Sequence, residues 1–247
     1  MTVLDSPGVP DSGCDAIALA NAIARVRETA RRQPLFTDPY VQLLVDASRS
    51  GEPEAVPPAV ADHIAARTKW FDDFFLTAGS AGVVQVVILQ AGFDTRAWRL
   101  PWLSDTVIYE VDRPEVLAFK QDTLRRAGAV PSVGYVQVPT VAGDDWTRAL
   151  TAAGFAHDEP TAWGIEGLMP ALDPQAREEL LERIDLYSAR GSRIAIETEA
   201  DSDPDVDCWL CARHWEMGSV ASADLLERYH RDRAHATSGI FVGGRKH

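Results

Sequence analysis

Cysteine is nearly absent: Cys14, Cys208 and Cys211 are the three in the chain. Three unevenly placed thiols cannot build a disulfide framework, which points to a reducing, cytoplasmic setting. Lysine is equally sparse, at Lys69, Lys120 and Lys246, so positive charge is carried almost wholly by arginine. Long apolar runs are missing. Stretches such as Val83–Leu89 fall far short of the ~20 residues a membrane span needs. The first fifteen residues carry acids and no basic stretch, so no signal peptide is read there. A G-x-G-x-x-G run is also absent, which argues against a nicotinamide dinucleotide resting on a helix N-terminus. Basic excess is lacking too. The net charge of −13 disfavours a protein that grips a phosphate backbone. These absences leave a cytoplasmic protein with a small-molecule partner, no nucleic acid and no membrane. Oligomeric state is unknown from the sequence.

What is present is ordinary globular material: 247 residues, 46% hydrophobic and 25% charged. That length suits one large α/β domain with a substantial core. Asp15 to Arg32 has helical spacing through Ile17, Ala20, Ile23, Ala24 and Val26, with Asp15 as N-cap and Pro34 as stop. Asp38-Pro39 opens a short helix reaching Ala47, Ser50–Pro58 reads as a loop, and Pro58–Leu76 resumes helical periodicity. From Val83 onward strands and helices alternate. Strands are predicted at Val83–Leu89, Thr106–Val111, Gly134–Val138, Thr161–Ile165 and Arg193–Glu197. Helices fall at Pro114–Ala127, Asp145–Ala153 and Asp173–Ser188. The near-continuous β-branched run VVQVVIL fits a strand buried on both faces of a parallel sheet. Alternation at this spacing predicts an α/β, doubly wound sheet. Residues 1–80 form an N-terminal helical cap, 81–200 the α/β core, and 201–247 a helix with an edge strand at Ile240–Val242 completing the sheet.

In such sheets ligands bind beyond the carboxyl ends of the strands. Gly92 is the single glycine of the first turn, Gln90 to Asp94, and permits close backbone approach. Asp112 ends the second strand, 112 − 92 = 20 residues on, a spacing that suits an acid on a ribose diol. An acid starting the helix at Pro114 is the other reading of Asp112. Cys208-Trp209-Leu210-Cys211 followed by His214 offers three zinc ligands without a matching second pair. Two buried thiols packed as small hydrophobes are the expectation there, with no metal.

The run Val86–Trp102, containing Gln90-Ala91-Gly92-Phe93-Asp94-Thr95-Arg96, resembles the S-adenosyl-L-methionine-dependent methyltransferase family of actinobacteria, related to leucine carboxyl methyltransferase. Tyr109–Leu117 with Phe119-Lys120, Asp144-Asp145-Trp146, Pro160–Trp163, Glu166-Gly167-Leu168 and Gly191-Ser192-Arg193 extend the resemblance. So do Leu35–Pro39 and Ala66–Phe75, and together the blocks cover about residues 15 to 200. The resemblance implies a class I methyltransferase-like fold with S-adenosyl-L-methionine as cofactor. It places Gly92 against the methionine part, Asp112 on the ribose, Arg67 at the cofactor carboxylate and Glu166 near its amino group. Where the family has Asp-Leu beside the adenine, this chain has Val141 and Ala142, whose backbone groups would serve. Gln90 stands where the family has a small residue. The implied activity is methyl transfer to an oxygen, carboxylate or hydroxyl, of a small molecule, in secondary metabolism. A hydroxyl acceptor would need a base. Glu197, Glu199, His63 and His214 are the candidates, and none is singled out as catalytic. The other reading keeps the fold without methylation, as a cyclase-like enzyme or a binding protein.

Overall fold

A computed structural model describes residues 16–48, 56–141, 145–200 and 205–247. Three helices lead: α1 (Ala16–Thr29), α2 (Val41–Ser48) and α3 (Pro58–Ser80). The α/β unit follows with β1 (Gln85–Leu89), α4 (Arg96–Arg99), β2 (Val107–Asp112), α5 (Pro114–Arg126), β3 (Gly134–Pro139), α6 (Trp146–Ala152) and β4 (Thr161–Ile165). It continues through α7 (Pro174–Leu186), β5 (Arg193–Glu199), α8 (Val206–Cys211), β6 (Trp215–Ala221), α9 (Ser222–Arg228) and β7 (Gly239–Lys246).

The strands form one seven-stranded sheet in the order β3-β2-β1-β4-β5-β7-β6. Pairings among β1 to β5 are parallel, while β7 runs antiparallel between β5 and β6. This is the predicted doubly wound sheet. The order turns back between β1 and β4, the place where such sheets open a crevice for ligands. The expected edge strand at Ile240–Val242 lies inside the sheet instead. The true edge is β6, whose sequence WEMGSVA has too little apolar alternation to announce a strand.

Local chemistry sets several boundaries. Pro58 and Pro114 begin α3 and α5, where a missing N–H costs nothing. Asp38 caps the start of α2, its Oδ1 accepting from the amides of Tyr40 (3.2 Å) and Val41 (3.0 Å). Asp145 and Asp173 cap α6 and α7 in the same way.

Two expectations fail on packing. In α1 the buried residues are Ala18, Ala22, Ala24, Arg25 and Glu28, while Ile17 is 67% exposed. Small alanines pack where α1 meets α2, α3 and the turn after β1, and the wide apolar stripe read from the sequence is turned partly outward. In α8 the inner face is Val206, Trp209 and Leu210, and both Cys208 and Cys211 are exposed rather than packed as small hydrophobes. The Asp15 cap, Cys14 and part of the 50–58 loop lie outside the described residues. Among those residues no helix is long and apolar enough to cross a membrane.

Candidate active site

Beyond the tips of β1 and β4 the chain leaves a cleft of about 940 Å³, part of it open to solvent. Its walls come from α1 (Ile17, Ala18, Asn21, Arg25), α3 (Ile64, Arg67, Thr68) and the β1 turn (Gln90 to Asp94). Asp112 and the Glu166-Gly167 turn complete them. Four of the residues expected to hold a cofactor, Arg67, Gly92, Asp112 and Glu166, therefore meet in one place.

The β1 turn is held open from two directions. Gly92 has φ +51°, and a Cβ there would lie 3.3 Å from the Ala18 Cβ, so only glycine fits without strain. Its amide donates to Asp112 Oδ2 at 2.6 Å, and Oδ1 accepts from the Arg113 amide at 2.7 Å. Burial raises the Asp112 carboxyl above its ordinary value, and the two amides pull it back only in part. Each oxygen has accepted one bond, so lone pairs remain for a ligand. Asp112 makes no side-chain cap on α5. Gln90, also at positive φ (+53°), walls both this cleft and a second cavity.

That second cavity is an apolar slot of about 290 Å³, part of it open to solvent, lined by Leu89, Gln90, Val111, Thr140, Trp146, Leu168 and Leu180. Within it the Thr140 hydroxyl is buried and has no hydrogen-bond partner among the described residues. Val141 lines neither cavity and is 49% exposed. Ala142 and Asp144 lie outside the described residues.

Behind the cleft runs a buried lattice of charge. Arg67 donates from Nε to Glu166 Oε1 (3.0 Å) and from Nη1 to Glu197 Oε2 (3.1 Å), so it is no solvated helix arginine. His63 Nε2 lies 2.7 Å from Glu197 Oε1. Burial works to raise the Glu197 carboxyl, but Arg67 and His63 outweigh it and hold it at about 2. Arg96 pairs with Glu166 Oε2 (2.9 Å), Asp72 Oδ1 (2.7 Å) and Asp94. Arg99 forks onto Asp72 at 2.6 and 2.7 Å.

None of the candidate bases lines the cleft. Glu197 and His63 sit behind Arg67, Glu199 is exposed at the end of β5, and His214 belongs to the turn before β6. Sequence reasoning missed Arg25 and Asn21, while Thr140 opens the stretch after β3 where ligand contacts were expected. Asn21 and Arg25 carried no signal, since polar residues in a helix read as solvated.

A cleft at the tips of β1 and β4, closed by a second-strand acid in a sheet of this order, defines a class I methyltransferase fold. A solved structure described as "a putative methyltransferase from Thermobifida fusca YX" shares that fold, with TM-score 0.56 at 15% identity, covering 96% of each chain. The family profile "Leucine carboxyl methyltransferase" matches residues 18–185. The chain belongs to that family of S-adenosylmethionine-dependent methyltransferases. It is 65% identical over 246 residues to a Mycolicibacterium gilvum (strain PYR-GCK) protein named "Putative S-adenosyl-L-methionine-dependent methyltransferase", covering 100% of both. A like-named protein of Mycobacterium sp. (strain MCS) is 40% identical over 227 residues, covering 89% of this chain and 92% of that one.

Proposed function

We propose that the protein transfers a methyl group from S-adenosylmethionine to an oxygen of a small molecule, and that this oxygen belongs to a carboxylate. Cytoplasmic secondary metabolism is the setting this reading implies. The observation that carries it is the meeting of Asp112 and Gly92 at the cleft, with an apolar slot adjoining across Gln90.

The residues suit such a cofactor. Asp112 has lone pairs to accept from a ribose diol, and Gly92 lets a ligand lie against the backbone. Glu166 offers a carboxylate to an ammonium group. Arg67 keeps Nη2 for a carboxylate, since no partner engages that nitrogen. The orphaned Thr140 hydroxyl in an apolar slot suits a flat base with a polar edge. When bound, the sulfonium supplies an electrophilic methyl group.

The protein's own part is alignment and exclusion of water. Among the described residues no His, Lys, Tyr or Cys lines the cleft. Glu166 and Asp94 are tied to arginines and Asp112 to amides. A hydroxyl would find no free base, whereas a carboxylate is already ionised and needs none. That contrast favours a methyl ester product.

Calorimetric titration with S-adenosylhomocysteine tests the cofactor site. Asp112→Asn should weaken binding about ten- to a hundredfold by loss of a charge-assisted acceptor. Absence of binding to folded wild-type protein defeats the reading. Labelled methyl on a carboxylate is released as methanol by mild alkali, and an alkali-stable product would overturn the ester.

A further inference from the structure

Arg67 shares each of its two carboxylates with another base, and the two sharers differ. Glu166 divides its oxygens between Arg67 at 3.0 Å and Arg96 at 2.9 Å, two fixed cations. Glu197 divides its own between Arg67 Nη1 at 3.1 Å and His63 Nε2 at 2.7 Å. Burial works to raise Glu197, yet Arg67 and His63 hold it at about 2, so it stays a carboxylate near neutral pH. Along the chain Arg67–Glu197–His63, the histidine is therefore the group whose charge can change in that range.

The surroundings of His63 provide for both of its states. Facing the ring are Glu197 from β5, Thr237 from the segment before β7, and the Phe241 ring of β7 at 5.9 Å. Arg67 lies one turn further along α3. The adjacent Asp62 is engaged by His235, Arg31 and Arg231 instead, and Glu199 is exposed at the end of β5. Thr237 Oγ1 stands 3.5 Å from His63 Nδ1 and accepts from the Gly239 amide at 3.1 Å. A hydroxyl can turn to donate to a neutral Nδ1 or accept from a protonated one. The side chain is 13% exposed, which leaves the ring a route for proton exchange with solvent.

We propose that His63 is a positioning residue of the cleft: through Glu197 it sets how much counter-charge Arg67 receives, and an anionic ligand group beside Arg67 draws a proton onto His63 Nδ1. With the ring neutral, the Glu197 charge belongs to Arg67. With the ring protonated, that charge is divided, and Arg67 turns more of its own to the cleft through Nη2, which has no partner among the described residues. The linkage is reciprocal, since a ligand that draws on Arg67 leaves Glu197 to hold the imidazolium. The inference rests on the proposed cofactor reading, in which the anionic group is the carboxylate of the nucleoside.

The experiment titrates S-adenosylhomocysteine into wild-type protein by calorimetry at about pH 6 and about pH 8, in buffers of unlike ionisation heat. Affinity should be about fivefold higher at the lower pH, with proton uptake between the two. The decarboxylated analogue, which keeps the nucleoside, thioether and amine, should bind wild-type protein with neither pH dependence nor uptake. His63→Gln keeps an amide donor for Glu197 but takes no proton. It should bind S-adenosylhomocysteine equally at both pH values, with the wild-type affinity of the higher one, which also reports a folded site. A merely structural histidine would leave the wild-type slope in place and lower affinity at both pH values alike. That slope persisting in His63→Gln, equal uptake with the analogue, or no uptake in wild-type protein would each overturn the assignment. Failure of both nucleosides to bind wild-type protein would instead remove the cofactor reading, and the inference with it.

Discussion

The two faces of the sheet are built from different material. Along β4, Ala162 and Gly164 face the N-terminal helices while Trp163 and Ile165 face α6 and α7. β5 repeats the division, with Ala195 and Glu197 against Ile194 and Ile196. In β2, Ile108, Glu110 and Asp112 alternate with Tyr109 and Val111. The far face is a dry layer of large side chains. The helical-cap face packs small strand residues against large ones such as Phe71, Phe75 and Phe241, and adds ions largely withdrawn from water: Arg25, Arg67, Arg96 and Arg99 against Asp38, Asp72, Asp94, Glu166 and Glu197. Buried ion pairs add little net stability because desolvation consumes most of their attraction. What they supply is position. Both faces carry an apolar core, and the ions of the cap face add the register of the cleft.

That division can be broken by matched lesions. Arg96→Met strands Asp72, Asp94 and Glu166 without a shared cation, and should cost about 3–5 kcal/mol in urea denaturation. It should also abolish S-adenosylhomocysteine binding. Leu181→Ala, in the dry layer under α7, should cost a comparable 2–5 kcal/mol, roughly, through a cavity. Its affinity for the nucleoside should stay at the wild-type value. Equal losses of affinity in both variants would erase the distinction between the faces.

A smaller effect sharpens the size rule. A Cβ on Gly164 would lie 2.6 Å from Phe75 Cζ, so Gly164→Ala should cost about 1–3 kcal/mol by overpacking α3 against β4. Thermal unfolding reads this directly, and an unchanged melting temperature would show that α3 can shift outward.

The smallest effect concerns acidity on the charged face. Burial pushes Glu110 up from 4.5 to about 7, despite Lys120 and Tyr135 beside it. The folded state therefore binds this proton more tightly than the unfolded chain. Its contribution to stability is complete below pH 4.5 and is lost as pH rises through about 7. The slope it adds is at most about 1.4 kcal/mol per pH unit, and Glu110→Gln should remove it from a pH series of denaturation curves. Glu197, held at about 2, acts oppositely, its contribution being lost only as pH falls through that value.

Much of this organisation is readable in the chain. Thr161–Ile165 coincides with β4, and the tips of β1, β2 and β4 carry Gly92, Asp112 and Glu166 to one cleft. Periodicity reveals such elements because strands buried on both faces are continuously apolar. It fails where packing needs small or charged residues. Ala18 and Ala22 outrank Ile17 in α1 because backbone proximity, not hydrophobicity, decides that contact. Arg25 and Arg67 look alike as helix arginines, and only three-dimensional neighbours separate Arg67, held by two carboxylates, from Arg25, with Asp38 at 3.9 Å. β6 escaped notice because β7 supplies the bonding that its own composition does not advertise.

Gln90 forms the partition between two chambers, held in a left-handed turn that leaves its side chain little choice of direction. Any mutation that enlarges the apolar slot at this wall also redraws the adjoining cleft. On the proposed reading, selectivity for the nucleobase and for the amino-acid end of the nucleoside would be inherited as one trait, and an engineer seeking altered donors would have to move both together.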